Sequence, residues 1–307
     1  VASYFFGFCS DSIAVRLFWL STARYLDGVY RLDGGSLGDS LLEISQTVPA
    51  SILTQIKKTC WNWFKSRNFE PMNKGTLQTT VHQKIAKVTF SHPAGNSLPS
   101  HLLLQLVNEF EQLSLRADVQ VIVLKSEGNR AFCAGASFDE LLEVSNEADG
   151  IRFFRGFAHV LNAMRSCTKI IIGSVQGKTV GGGVGLAAAC DVCYATDAAA
   201  IKLSELSLGI GPFVIEPAVQ RKIGTAAFSK LTLEASHWHA AEWAEDKGLY
   251  AKVFPTKEAL EQAVDSLAEE LSQSSADAMA ALKKIFWKGT DSWPSLLTER
   301  AEISGKL

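Results

Sequence analysis

The sequence Gly-Gly-Gly-Val-Gly-Leu-Ala-Ala-Ala-Cys-Asp occupies residues 181–191, shortly after an apolar run at 170–175. This order predicts a short buried strand, a glycine turn and a helix of small residues. Glycine has no Cβ, and the first N–H groups of a helix have no partner within the helix. The stretch therefore predicts a turn that offers backbone N–H groups to a negatively charged oxygen, although a glycine run can also mark a tight turn without a ligand. It lacks the spacing of a phosphate loop or a dinucleotide fingerprint.

A second turn of the same kind lies earlier in the chain. Residues 131–141 read Ala-Phe-Cys-Ala-Gly-Ala-Ser-Phe-Asp-Glu-Leu and follow a β-like run at 119–124. Two such turns can each direct one backbone N–H at a single oxygen. An oxyanion hole needs two such donors about 3 Å from the oxygen that becomes charged.

These segments together resemble the crotonase superfamily, the enoyl-CoA hydratase and isomerase group. The matching stretches are 131–136, 175–191, 203–210 and, more weakly, 92–98. The resemblance covers residues 76–307 and implies an α/β fold: a crotonase-like spiral of repeated β-β-α units with a C-terminal helical trimerisation region that packs on a neighbouring subunit. The motif style is most similar to the branch of methylglutaconyl-CoA hydratases and polyketide β-branching dehydratases.

The resemblance also implies the site. The backbone N–H groups of Ala136 and Gly182 would hold the thioester oxygen as it becomes an enolate, and Ala134, Gly181 and Gly185 would join them in binding the substrate. Coenzyme A or phosphopantetheine would be part of the substrate, and no other cofactor is expected. The implied partners are an acyl thioester, an acyl carrier protein if the substrate is carrier-bound, and further copies of the chain in a homotrimer or hexamer.

Glu205 is the predicted general acid and base. Hydratases of the superfamily usually carry two glutamates, but the first of these positions is Gly185 here, while the second is Glu205 in its expected setting. A carboxylate desolvated in an apolar pocket has a raised pKa and can exchange a proton near neutral pH. One glutamate leaves hydration or dehydration of an α,β-double bond and Δ3,Δ2-isomerisation open. We expect a hydratase or dehydratase, with an isomerase or a non-catalytic acyl-thioester-binding homologue as alternatives.

Two further acids have simpler interpretations. Glu216 precedes Pro217, and Asp139 follows the first turn. Both positions favour a place in the first turn of a helix, where a negative charge suits the helix dipole.

Composition limits the other classes of function. The 307 residues carry a formal net charge of −2 and are 47% hydrophobic, which is typical of a globular protein and gives no support for nucleic-acid binding. No apolar run approaches the length of a membrane span. The six cysteines are predicted to be packed, reduced thiols, as in a cytoplasmic protein, and neither they nor His237 and His239 predict a metal site.

The chain divides near residue 75. Residues 1–75 have no counterpart in the family and are predicted to be an extension, poorly structured or partly helical at 40–45 and 52–65. The spiral core is predicted for 76–255, with strand-like runs over 79–90 and 119–124 around a helix at 98–115. The C-terminal helical region is predicted for 256–307, with helices at 258–272, 275–288 and 293–304.

Overall fold

The fold begins with a hairpin. The computed structural model describes residues 75–307, so the predictions made for residues 1–74 lie outside the described part. The run over 79–90 is not one strand but belongs to two, β1 (Thr76–His82) and β2 (Ile85–Ser91), which pair antiparallel. Gln83 and Lys84 form the turn with φ of 47° and 66°. This left-handed conformation is uncommon for residues other than glycine. Since neither residue is a glycine, the sequence did not indicate a turn here.

A six-stranded sheet forms the centre of the fold. Besides β1 and β2 it contains β3 (Val121–Ser126), β5 (Ile170–Val175), β7 (Val192–Thr196) and β9 (Lys252–Phe254). The strand order is β1-β2-β3-β5-β7-β9, and the strands are parallel from β2 onward. The central strands are continuous apolar runs, as expected where helices cover both faces.

A second, smaller sheet carries the predicted turns. It is parallel and consists of β4 (Ala131–Cys133), β6 (Lys178–Val180) and β8 (Ile201–Lys202). Because the strands are parallel, the chain segments that follow all three strands leave the same edge of the sheet. That edge is where both glycine turns and the segment with Glu205 begin.

Amphipathic helices cover the sheets. The predicted helix at 98–115 is confirmed as α1, Ser100–Leu115, and its buried face has the expected helical spacing. The next three helices are α2 (Phe138–Glu143), α3 (Glu147–Ser166) and α4 (Gly182–Ala189). The last of these is the predicted helix of small residues.

The predicted C-terminal helices are also present. After α5 (Glu216–Leu233) and α6 (Ala241–Asp246) come α7 (Lys257–Ser272), α8 (Ala276–Phe286) and α9 (Trp293–Lys306). None of the described helices has the length and hydropathy needed to cross a membrane.

The last helix, α9, makes a close contact within its own chain. This helix packs on α3 of its own chain. A Cβ added at Gly150 would lie 2.9 Å from the carbonyl oxygen of Gly305, so the two backbones nearly touch. Small residues at both positions allow this approach, and the trimer stays a prediction.

A buried ion pair fixes α8 to the main sheet. Lys283 Nζ lies 2.9 Å from Asp191 Oδ2, and the two side chains are 3% and 2% exposed. Asp191 also accepts hydrogen bonds from the N–H of Ile171 and from Trp287 Nε1 at 2.8 Å each. The carboxylate is therefore fully engaged, as a buried charge must be.

Candidate active site

The first turn joins β4 to α2. Gly135 has a φ of +91°, which a glycine adopts without strain, and Ser137 caps α2 by accepting the N–H of Glu140. Between them, the N–H of Ala136 donates no hydrogen bond to the described part of the chain.

The second turn joins β6 to α4. Gly181 precedes α4 with a φ of +52°, and Gly182 is the first residue of that helix. The N–H of Gly181 donates to the carbonyl of Lys202, which ties the turn to β8, at 2.9 Å. The N–H of Gly182 has no acceptor among residues 75–307, as expected for the first turn of a helix.

The two turns lie in direct contact. A Cβ at Gly135 would lie 3.1 Å from the carbonyl oxygen of Val180 and 3.5 Å from the nitrogen of Gly182. A Cβ at Gly183 would lie 2.7 Å from the carbonyl oxygen of Cys133. Only glycines permit this separation, so the sequence brings the turns together at one edge of the small sheet.

A buried polar network holds the first turn. The side-chain amides of Asn96 and Gln176 both donate to the carbonyl of Ala131, at 2.8 and 3.2 Å. Both also donate to Ser126 Oγ, at 3.3 and 2.9 Å. Asn96 lies in the weakly matching stretch at 92–98, and Gln176 lies just before β6. The network therefore links the start of the first turn to the strand that leads into the second.

Glu205 faces the second turn. It begins a short 3₁₀ turn, Glu205–Leu208, directly after β8. A Cβ at Gly181 would lie 2.7 Å from Glu205 Oε1, so the carboxylate rests against the bare backbone of that glycine. Glu205 Oε2 is buried and has no hydrogen-bond partner among the described residues. Burial raises the pKa of Glu205 to about 7, since desolvation penalises the charged form.

These groups line one cavity, which contains about 780 Å³ of empty space, part of it open to solvent. Ala134, Ala136, Gly181, Gly182 and Glu205 all lie on its wall, so five of the six predicted site residues are brought together. The rest of the wall is largely aromatic and aliphatic. Its members include three phenylalanines of α3 and three residues just before α5: Phe153, Phe154, Phe157, Phe213, Val214 and Ile215.

Gly185 lies behind the cavity wall. A Cβ at this position would lie 2.5 Å from Ile215 Cγ2, so the isoleucine side chain covers the α-carbon of the glycine. Phe157 covers Gly182 in the same way, because a Cβ there would lie 2.3 Å from the edge of its ring. The place where the resemblance implies a first glutamate is therefore filled by an apolar side chain.

Sequence reasoning missed the apolar wall. Phe153 and Phe157 are spaced by one helical turn, and both are buried on α3. That spacing could have predicted a buried helix face but not its place beside the second turn. The sequence did not indicate a role for Ile215, because its contact with Gly185 joins two residues that are thirty positions apart along the chain.

The other acids have the structural places predicted for them. Asp139 lies in the first turn of α2, and Glu216 begins α5 with Pro217 directly after it. Neither lines the cavity. Glu216 Oε2 lies 3.6 Å from Arg300 Nη2 of α9, and burial raises the pKa of Glu216 while this guanidinium lowers it.

The four described cysteines are buried and unpaired, as predicted: Cys133, Cys167, Cys190 and Cys193. Burial raises the pKa of the Cys133 and Cys193 thiols to about 12, so both are protonated. His239 is buried beside Glu234, with 3.2 Å between Nε2 and Oε2. Within residues 75–307, no group of His, Cys, Asp and Glu side chains is arranged to hold a metal ion.

Comparison with known proteins gives a consistent result. The family model described as enoyl-CoA hydratase/isomerase matches residues 80–302. The 2,3-dehydroadipyl-CoA hydratase of Escherichia coli is 32% identical over 218 residues, which cover 68% of this chain and 80% of that protein. The peroxisomal Delta(3,5)-Delta(2,4)-dienoyl-CoA isomerase of Arabidopsis thaliana is 26% identical over 240 residues, with 73% and 83% covered.

The similarity extends to solved structures. The enoyl-CoA hydratase of Bacillus halodurans superimposes with a TM-score of 0.70, covering 75% of this chain and 94% of that one at 22% identity. At this level of identity the likeness concerns the fold alone. It agrees with the crotonase-like spiral expected for residues 76–307.

Proposed function

The chain belongs to the enoyl-CoA hydratase/isomerase family, and from this premise we propose that it is a hydratase or dehydratase of enoyl thioesters that uses Glu205 as its one general acid and base. The observation that carries the proposal is that Glu205 Oε2 and two backbone N–H groups of the same cavity have no hydrogen-bond partner among residues 75–307. An acid with a pKa of about 7 both accepts and donates a proton near neutral pH.

The N–H groups of Ala136 and Gly182 stabilise the intermediate. Adding an oxygen at the β-carbon of an enoyl thioester moves an electron pair onto the thioester oxygen. Two fixed donors in an apolar cavity stabilise that negative charge, and losing one such donor costs about 3–4 kcal/mol of transition-state stabilisation. The contact between the two turns supports a shared oxygen position.

Glu205 carries the proton through the reaction. In hydration, the carboxylate takes a proton from water as the water oxygen bonds to the β-carbon, and the enolate forms. The protonated carboxyl then donates that proton to the α-carbon as the thioester carbonyl re-forms. Water has then been added as hydroxyl and proton, and Glu205 is again ionised. Dehydration follows the same steps in reverse.

Ile215 supports a second candidate, the Δ3,Δ2-enoyl-CoA isomerase. It fills the space beside Gly185, so no second acid among residues 75–307 occupies the position that would orient a water molecule. Isomerisation needs no water. Glu205 removes a proton from C2 of a 3-enoyl thioester, the double bond shifts, and the same proton returns at C4.

The decisive experiment offers purified protein the trans-2- and trans-3-forms of one enoyl-CoA and identifies the products by mass and retention time. Hydration of the 2-enoyl form supports the first candidate, and conversion of the 3-enoyl to the 2-enoyl form supports the second. We expect Glu205→Gln to lower kcat by about 10³-fold, within the range for loss of a general acid-base group.

Asp139→Asn serves as the matched control, because Asp139 is exposed and lies outside the cavity. This variant should keep kcat within about twofold, since surface substitutions are usually nearly neutral. Full activity in Glu205→Gln contradicts the single-base proposal. Binding of the thioesters with no turnover of either would instead support the non-catalytic alternative.

Three further properties stay predictions. The carrier is coenzyme A or a phosphopantetheine on an acyl carrier protein, and the assembly is a trimer or hexamer. Buried, unpaired thiols suit a reducing compartment such as the cytoplasm.

A further inference from the structure

The cavity wall carries a negative charge without a positive charge to balance it among the described residues. Among residues 75–307, Glu205 is the only ionisable side chain on its wall. The facing surfaces are the phenylalanines of α3 and the apolar residues before α5. The cavity therefore presents one acid and no cation to the acyl group of a thioester.

Two arginines on the surrounding helices form ion pairs with glutamates. Arg155 of α3 lies 3.1 Å from Glu302, and Arg300 of α9 lies 3.6 Å from Glu216. Neither arginine lines the cavity. Ser304, the residue of α9 that does line it, donates its hydroxyl to the carbonyl of Arg300 at 3.0 Å.

A negatively charged acyl group would meet an unfavourable environment here. An ionised carboxylate that loses its water needs a cation or several hydrogen-bond donors in exchange. It would also repel the ionised form of Glu205 and raise the pKa of that residue further. Asp139 and Glu140 lie in the first turn of α2, directly after Phe138, which lines the cavity, and neither supplies a positive charge.

We propose that this site selects enoyl thioesters whose acyl group is uncharged and discriminates against those that end in a second carboxylate. The inference rests on the proposed function and names its substrate class. The proposed substrates differ from the carboxylated ones that the resemblance to methylglutaconyl-CoA hydratases implies.

Two matched pairs of substrates test the selection. Hex-2-enoyl-CoA and 2,3-dehydroadipyl-CoA share a six-carbon chain and differ by the terminal carboxylate. In the branched pair, 3,5-dimethylhex-2-enoyl-CoA replaces the carboxylate of 3-methylglutaconyl-CoA by an isopropyl group of similar shape. We expect kcat/KM to favour the uncharged member of each pair by about 100-fold or more, because burial of an unpaired charge is costly. Equal or greater kcat/KM for the carboxylated members overturns the proposal.

Binding provides a readout that does not depend on turnover. Hexanoyl-CoA and adipyl-CoA are saturated and cannot react, and calorimetry measures their affinities for the wild-type chain. Tighter binding of hexanoyl-CoA supports the selection even if all four enoyl thioesters fail to react, a result that would contradict only the proposed function. Equal affinities overturn the selection.

A cation placed on the wall should reverse the preference in part. Leu141 lines the cavity, whereas its neighbour Leu142 is 65% exposed and does not. We expect Leu141→Lys to shift the affinity ratio toward adipyl-CoA by about 10-fold, and Leu142→Lys to change it by less than about twofold. An equal shift in both variants would show a long-range charge effect and contradict selection at the cavity wall.

Discussion

Two buried carboxylates in this fold have opposite surroundings. Asp191 pairs with Lys283 at 2.9 Å and accepts hydrogen bonds from Ile171 and Trp287 at 2.8 Å. Glu205 has one carboxylate oxygen without any partner among the described residues and rests against glycine backbone and apolar side chains. Asp191 directly precedes β7 of the main sheet, whereas Glu205 follows β8 of the small sheet.

The difference separates a carboxylate that is fully paired from one that suits the proposed proton transfer. A carboxylate with all its partners ties distant segments of the chain together. Burial without partners raises the pKa of a carboxylate, and its ionised form destabilises the fold. The raised pKa also suits such a group to proton transfer near neutral pH. Substitutions at the two sites should therefore have opposite effects on stability.

The largest expected effect is at the satisfied site. Lys283→Met should lower the free energy of unfolding by about 3–5 kcal/mol, because it leaves Asp191 buried without its counter-charge. Urea denaturation measures the change, and Lys284→Met, at the exposed neighbouring position, should change stability by less than about 1 kcal/mol. A loss below about 1 kcal/mol for Lys283→Met would show that the ion pair contributes little.

The unsatisfied site should respond in the other direction. The folded-state pKa of Glu205, about 7, lies above its ordinary value of 4.5, so the native state keeps a proton that the unfolded chain releases. Stability is therefore lost as pH rises from 4.5 to 7, and the full penalty of about 3 kcal/mol applies above pH 7. Glu205→Gln should be more stable than wild type by about this amount at pH 8 and nearly equal to it at pH 4. Urea titrations at both pH values test this, and a less stable variant at pH 8 would mean that the carboxylate has an unrecognised partner.

A smaller effect on stability is expected at Gly185, where the side chain of Ile215 fills the space that the resemblance assigns to a glutamate. Gly185→Ala would bring a Cβ to 2.5 Å from Ile215 Cγ2, and such overpacking costs about 1–3 kcal/mol. Ile215→Ala removes Cγ2 but keeps the Cβ, which lies 2.8 Å from the added atom, so the overpacking is relieved only in part. A double-mutant cycle should therefore show a favourable coupling of about 1 kcal/mol, measured by thermal or urea unfolding. Additive effects of the two substitutions would indicate that Ile215 does not restrict position 185.

Local regularities predicted most of the elements. The apolar run at 170–175 is strand β5, and the helical spacing at 98–115 becomes α1 with a start only two residues later. The turn at Gln83 and Lys84 was missed because neither residue carries the usual signal for a positive φ. The packing of α9 on α3 could not be predicted, because Gly150 and Gly305 are distant along the chain and meet only in the folded structure.

The residues of the site also fall into those that the sequence predicts and those that it does not. Glycine turns and an acid in a family-like setting can be identified from short stretches of sequence, and five of the six predicted residues share the cavity wall. Ile215 beside Gly185 and Lys283 beside Asp191 could not be predicted, because each contact joins residues that are distant along the chain. Both contacts are set by packing rather than by a local pattern.

The carbonyl of Ala131 accepts hydrogen bonds from both Asn96 and Gln176, which belong to segments before and after the first turn. A tilt of β4 would strain both bonds, so the two amides help to position the first turn although neither lines the cavity. Gln176→Asn would shorten one amide and weaken this support without changing any side chain of the wall. The shape of the pocket can therefore be altered through residues that contact no ligand.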